Sequence, residues 1–163
     1  MTVYRVAFTS SAPEAPAAAS TLVVACSAHG LAPALREFLD EGLKLAPGTY
    51  DLLAVPGGPH FLMLTSYLPK FAWAGHRWVK FLVEKHTLRR AILVAHEDCA
   101  WHNDERMLPA LLHRIHGQSG REAQVHELEQ MVAAAREALP GIAVEAYFAR
   151  KEPSGALAFV HVA

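Results

Sequence analysis

Residues 91–102 read AILVAHEDCAWH. The apolar run Ala91 to Ala95 leads straight into His96, and Cys99 follows three positions later. A short apolar run that ends in polar residues is the pattern of a buried strand. The same polar end also reads as half of a metal site, because imidazole and thiolate are both good ligands for a borderline-soft cation. The chain has only two cysteines, so the place of the other one carries weight. Cys26 closes a second run of the same kind, Thr21 to Ala25 (TLVVA), β-branched and apolar on both faces. That pattern suits a parallel strand covered on both sides.

Working outward, Asp51 to Val55 (DLLAV) is a third buried-strand candidate, broken by the loop signal Pro56-Gly57-Gly58-Pro59. Between the first two runs, Leu31, Leu35, Phe38, Leu39 and Leu43 recur at helical spacing, so a helix is expected over 31–45, closed by Pro47-Gly48. Trp78, Phe81, Leu82 and Lys85 share one helical stripe. Arg121 to Leu139 is the clearest helix, with Val125, Leu128, Val132, Ala135 and Leu139 on one face and Pro140-Gly141 as its stop. Ile142–Ala149 and Ala156–Val162 read as strands joined by the short turn Glu152–Gly155, an antiparallel pair at the sheet edge. Strands alternating with helices give an α/β fold: a mostly parallel central sheet flanked by helices, with an antiparallel edge strand. Val3–Phe8 alternates weakly as a short strand, and 10–20 (SSAPEAPAAAS) is a Pro/Ala/Ser-rich linker. The expected organisation is an arm over 1–20 and a single domain over 21–163.

Composition bounds the rest. A chain of 163 residues with 52% apolar and 19% charged residues is long enough to bury a core and too apolar to be disordered. The apolar excess points to a homodimer or higher homo-oligomer. The formal net charge of −1 supplies no field to recruit nucleic acid or an anionic membrane. The N-terminus lacks the basic and apolar regions of a signal peptide, and no uncharged apolar run approaches the roughly 20 residues of a membrane span. The cytoplasm is therefore expected, where two cysteines are thiols or thiolates rather than a disulfide.

In open parallel sheets, function gathers at the carboxyl ends of the strands. Cys26 and His96 each close a strand there, and Cys99 follows one turn after His96. If the two strands are neighbours, two sulfurs and one nitrogen converge. That set suits tetrahedral Zn²⁺ and leaves a fourth position for water. Taken singly, each residue also has a plain reading, since a Cys after an apolar run is commonly a small core residue.

The chain here resembles the β-class carbonic anhydrases from Thr21 onward. That family carries a Cys-x-Asp-x-Arg motif after its first sheet strand and a His-x-x-Cys motif after a later one. LVVACS (22–27) matches the run into the first, and ILVAHEDC (92–99) matches the second. Val55-Pro56-Gly57-Gly58 stands where the family has an Arg-Asn-Ala-Gly loop, and 144–160, with Tyr147 and Ser154-Gly155, is similar to its closing hairpin. The resemblance implies Cys26, His96 and Cys99 as zinc ligands, a dimerising α/β fold, and zinc-bound hydroxide attacking CO₂ or a related small electrophile. CO₂/bicarbonate or an analogue would be the small-molecule partner.

The motif departs from the family in Cys26-Ser27-Ala28-His29-Gly30. Ala28 and Gly30 stand where the family has an Asp that accepts a hydrogen bond from the zinc-bound water and an Arg that holds it. Loss of such an orienting group costs about 10–100-fold in affinity or activity. His29 is the first candidate to stand in, as a proton shuttle or as a fourth ligand, ahead of His60 and His102. The plain reading of each is a solvated loop histidine. Glu97 and Asp98 are either acceptors for a ligand imidazole or exposed loop charges. Arg36 and Glu37 are surface charges. Trp73 and Trp78 belong in the core or a dimer seam, and Trp101 could line an apolar pocket. Gly57-Gly58 either presents N–H groups to an anion or makes a tight turn. Three functions follow in order: a carbonic-anhydrase-like zinc lyase, a non-catalytic zinc protein closed by His29, and a redox dithiol of Cys26 with Cys99.

Overall fold

The computed structural model describes residues 7–11, 19–62, 69–104 and 120–163, with side chains omitted over 69–76. Most of the expected N-terminal strand and arm, and the Trp73 side chain, lie outside the described residues. Five strands form one sheet: β1 (Thr21–Cys26), β2 (Tyr50–Val55), β3 (Arg90–His96), β4 (Ala143–Lys151) and β5 (Leu157–His161). Their order is β2-β1-β3-β4-β5. Every pairing is parallel except the last, where β5 runs antiparallel to β4. Among the described residues the helices include α1 (Ala32–Glu37), α2 (Pro69–His86), α3 (Ala100–Asn103) and α4 (Arg121–Ala138), with a π-helical turn over Phe38–Gly42.

The central strands form because their side chains are apolar on both faces and both faces are covered. One face packs Leu22, Val24, Leu93 and Phe148 against Val79 of α2 and Leu128, Met131 and Val132 of α4. The other packs Val23, Ile92 and Val94 against Leu31, Leu35 and Leu39. Each of these aliphatic side chains gains about 1.5–3 kcal/mol by leaving water.

Two expectations need correction, and the stripe on α2 resolves into an inner and an outer side. β2 is an edge strand whose side chains alternate, with Leu53 packed on the core and Leu52 half exposed. The expected helix over 31–45 changes character at Phe38, where Leu43 N–H donates to the Phe38 carbonyl in a π-type bond of 2.9 Å. Gly42 lies under the Phe38 ring, which stacks on Phe159 and meets Tyr147 edge-on. Tightening the turn to α-helical geometry would disturb that aromatic contact with the sheet. Finally, Val79, Leu82 and Val83 form the core side of α2, while Trp78 and Phe81 are 55% and 60% exposed.

Among the described residues no helix is long and apolar enough to cross a membrane.

Candidate metal centre

The register places β1 directly beside β3, with Ala25 opposite Val94. Cys26 and His96 therefore emerge together at the carboxyl end of the sheet. The chain must then turn sharply to bring Cys99 back. It does so at Asp98, which takes a left-handed conformation (φ 56°) that Asp tolerates better than most residues. Cys99 caps the N-terminus of α3. The ligand atoms of Cys26, His96 and Cys99 lie within 4.8 Å of one another, so the three residues that close or follow the strands are brought together.

The geometry fits a cation. The two sulfurs are 3.8 Å apart, too far for a disulfide, and both cysteines are free. Sulfurs on a tetrahedral zinc, at about 2.3 Å from the metal, stand about 3.8 Å apart. His96 Nδ1 donates to the Glu97 carbonyl at 2.9 Å, which fixes the ring and leaves Nε2 as the atom facing the group. That Nε2 is buried and finds no hydrogen-bond partner among the described residues. A ligating imidazole normally donates its other N–H to an acceptor of this kind.

The electrostatics agree. Cys26 is strongly acidified, first by the hydrogen bond from Cys99 and against its own burial, with help from His96 and from the backbone N–H groups of Ala28 and Gly57. Cys99 is shifted upward by the Cys26 sulfur and by burial, so the pair shares one proton. Burial opposes protonation of His96, but the neighbouring Cys26 and the Glu97 carbonyl carry its net shift upward. Removing the shared proton would leave two thiolates in contact, which needs a cation between them.

The loop after β2 completes the wall. Gly57 and Gly58 have φ of +80° and +57°, so the pair makes a tight turn. A Cβ on Gly58 would meet Cys26 N at 2.8 Å, and one on Gly57 would meet the Trp101 ring at 2.5 Å. The turn is thus pressed between the end of β1 and the indole. The backbone amides of Ala28, Gly57, Trp101 and His102 that reach the sulfurs have no side-chain signature and were not visible in the sequence.

The auxiliary candidates separate. His29 is exposed on the turn before α1 and is not in the ligand group. Glu97 accepts from Arg121 and from the Lys151 backbone N–H, and Asp98 accepts from Lys151 Nζ. Their carboxylates thus serve the β4 end and α4, and only the Glu97 carbonyl reaches the imidazole. His60 and His102 are both 5% exposed, so neither is a solvated loop residue. They converge on Glu127 of α4, a residue that sequence reasoning missed.

A five-stranded, mostly parallel sheet with this edge hairpin and these helices is the β-carbonic-anhydrase fold. No family profile matches the chain, and none of the curated proteins does. Among solved structures, a carbonic anhydrase from Streptococcus mutans is similar with a TM-score of 0.59 and 13% identity, over 96% of this chain and 88% of that one. The apo form of a carbon disulfide hydrolase gives 0.54 at 13% identity, over 89% and 80%. One of two tetrameric β-carbonic anhydrases from Sordaria macrospora gives 0.51 at 14%, over 88% and 81%. At these identities the likeness establishes the fold.

Proposed function

We propose that Cys26, His96 and Cys99 hold Zn²⁺ and that the protein is a carbonic-anhydrase-like enzyme acting on CO₂ or a similar linear electrophile. The supporting observation is the buried, unpartnered Nε2 of His96 facing two sulfurs at the spacing of a tetrahedral edge. Likeness in fold to carbonic anhydrases and to a carbon disulfide hydrolase makes CO₂ and its sulfur analogue the substrates to try. When bound, zinc supplies Lewis acidity and brings the pKa of water to about 7.

The chain's own residues divide the remaining work. The amides of Ala28 and Gly57 hold Cys26 as the thiolate, and those of His102 and Trp101 support Cys99. The Glu97 carbonyl holds the His96 tautomer. Ala28 offers no carboxylate to orient a reacting water. His29, exposed three residues after Cys26, is the group in this reading that takes the proton to solvent. Its exposure favours a site with an open position over one closed by four protein ligands. The exposed Trp78 and Phe81 of α2 form the seam of a homo-oligomer in the same reading, and 21–163 acts as one domain.

Cobalt substitution with stopped-flow CO₂ and carbon disulfide assays tests the proposal. A thiolate-to-cobalt charge-transfer band, lost in Cys26→Ser together with turnover, is expected. Absence of the band in folded protein overturns the metal site. A band with no turnover of either substrate overturns the enzyme reading.

A further inference from the structure

We propose that His60, His102 and Glu127 form a second metal site, which takes a divalent first-row transition ion such as Zn²⁺. The site is separate from the cysteine group and its existence does not depend on that group's function.

The three residues come from different parts of the chain. His60 follows the Gly57-Gly58 turn, His102 lies on α3 one turn after Cys99, and Glu127 projects from α4. Their Nε2, Nε2 and carboxylate atoms lie within 4.8 Å of one another. His60 Nε2 is 3.3 Å and His102 Nε2 2.9 Å from the same oxygen, Oε2 of Glu127. Ligands bonded at about 2.0–2.1 Å in a tetrahedron stand about 3.3–3.4 Å apart. The trio is therefore near ligating separation, and it closes on an ion by small side-chain movements.

The tautomer of His60 carries the argument further. Its Nδ1 is 2.7 Å from the Gly57 carbonyl, which can only accept, so Nδ1 bears the proton. Nε2 is then the ring atom turned toward the Glu127 carboxylate. The pattern repeats what His96 shows: Nδ1–H on a backbone carbonyl and Nε2 turned into a cluster of donors. Ligating histidines are held in this way. Glu127 supplies the anionic partner.

Two imidazoles and one carboxylate are a borderline nitrogen/oxygen set that selects zinc-like ions over calcium or magnesium. With both imidazoles 5% exposed, the site serves to brace. It ties the turn that presses on Cys26 and the helix that begins at Cys99 to α4, and so stiffens both segments that frame the first site.

The test is metal stoichiometry. A Cys26→Ser/Cys99→Ser protein, equilibrated with Zn²⁺ and freed of excess, should retain about one zinc per chain, and adding His60→Ala and Glu127→Gln should remove it. No retained zinc in the folded double-Ser variant overturns the proposal. So does zinc that survives the added substitutions, which marks an adventitious ion on other histidines. If the double-Ser chain does not fold, the intact chain is loaded with Co²⁺. His60→Ala/Glu127→Gln should then lose one cobalt equivalent and keep the thiolate band. Loss of the band along with that equivalent, or no loss at all, overturns the proposal. Failure of the cysteine group would show instead as a missing band beside a retained equivalent.

Discussion

Replacing Gly58 by Ala separates two costs that the site loop imposes. The first is conformational: φ is +57°, and a residue with a Cβ loses about 1 kcal/mol there relative to Gly. The second is steric. The new Cβ would stand 2.8 Å from Cys26 N, 3.0 Å from Ala25 C and 3.2 Å from the Val94 carbonyl oxygen. These atoms are backbone of β1 and β3, strands held by neighbours on both sides, so they cannot rotate away as a side chain would. Overpacking of this kind costs about 1–3 kcal/mol, which makes the total about 2–4 kcal/mol. Two other glycines supply the controls. Gly155 has φ +87° but open space around its Cβ, so Gly155→Ala should cost about 1 kcal/mol, the conformational part alone. Gly30 has open space and no left-handed φ, so Gly30→Ala should be neutral or stabilising by up to about 1 kcal/mol. With an m-value of about 2 kcal/mol/M in urea, the midpoint of Gly58→Ala should fall by about 1–2 M. Retention of metal should fall with it, because the clash lies on the amide of Cys26. A midpoint for Gly58→Ala equal to that of Gly155→Ala would refute the claim that the turn is pressed against the end of β1.

Two further substitutions probe the surroundings. Asp98→Val places a β-branched residue at φ 56° and should cost about 1–2 kcal/mol, with the thiolate–metal band weakened. Asp98→Asn should change little in a thermal melt, and equal losses in the two would shift the cause to the exposed Lys151 pair. Glu145 accepts from Arg90 at 2.8 and 2.7 Å and from the Tyr147 hydroxyl at 3.0 Å, so Arg90 first and Tyr147 after it hold its carboxyl below the usual range. Its folded pKa is the lower one, so its contribution is complete above the unfolded value of about 4.3 and fades as pH falls through the folded value. Glu145→Gln should therefore be less stable by about 1 kcal/mol at pH 7, and its stability should converge with that of the wild type in acid. A constant gap down to low pH would mean that packing, and not charge, makes the difference.

What the sequence revealed depended on how local the physics is. The two strands that carry the cysteine group were legible because burial on both faces demands unbroken apolar runs, as in Thr21–Ala25 and Ala91–Ala95. The candidate donors were legible because two are the chain's only cysteines and all three stand at or just after the ends of those runs. β2 misled because DLLAV has the same composition as a central strand; only the sheet order, with β2 at the edge, leaves Leu52 uncovered. The π-turn at Phe38 was invisible for a similar reason. It follows from a stack between Phe38 and Phe159, residues more than a hundred positions apart. The His60–Glu127–His102 cluster lies between these cases. His60 and His102 were singled out beside other histidines that resembled them equally well. The overlooked signal was on α4, where Gln124 and Glu127 fall one turn apart next to the buried Leu128 and Met131. Two polar residues turned toward the core side of a helix need partners inside the protein. On α4, Glu127 finds them in the two buried imidazoles. A polar residue that breaks into an apolar face therefore locates a site before its partners are known, just as a cysteine at the end of an apolar strand does.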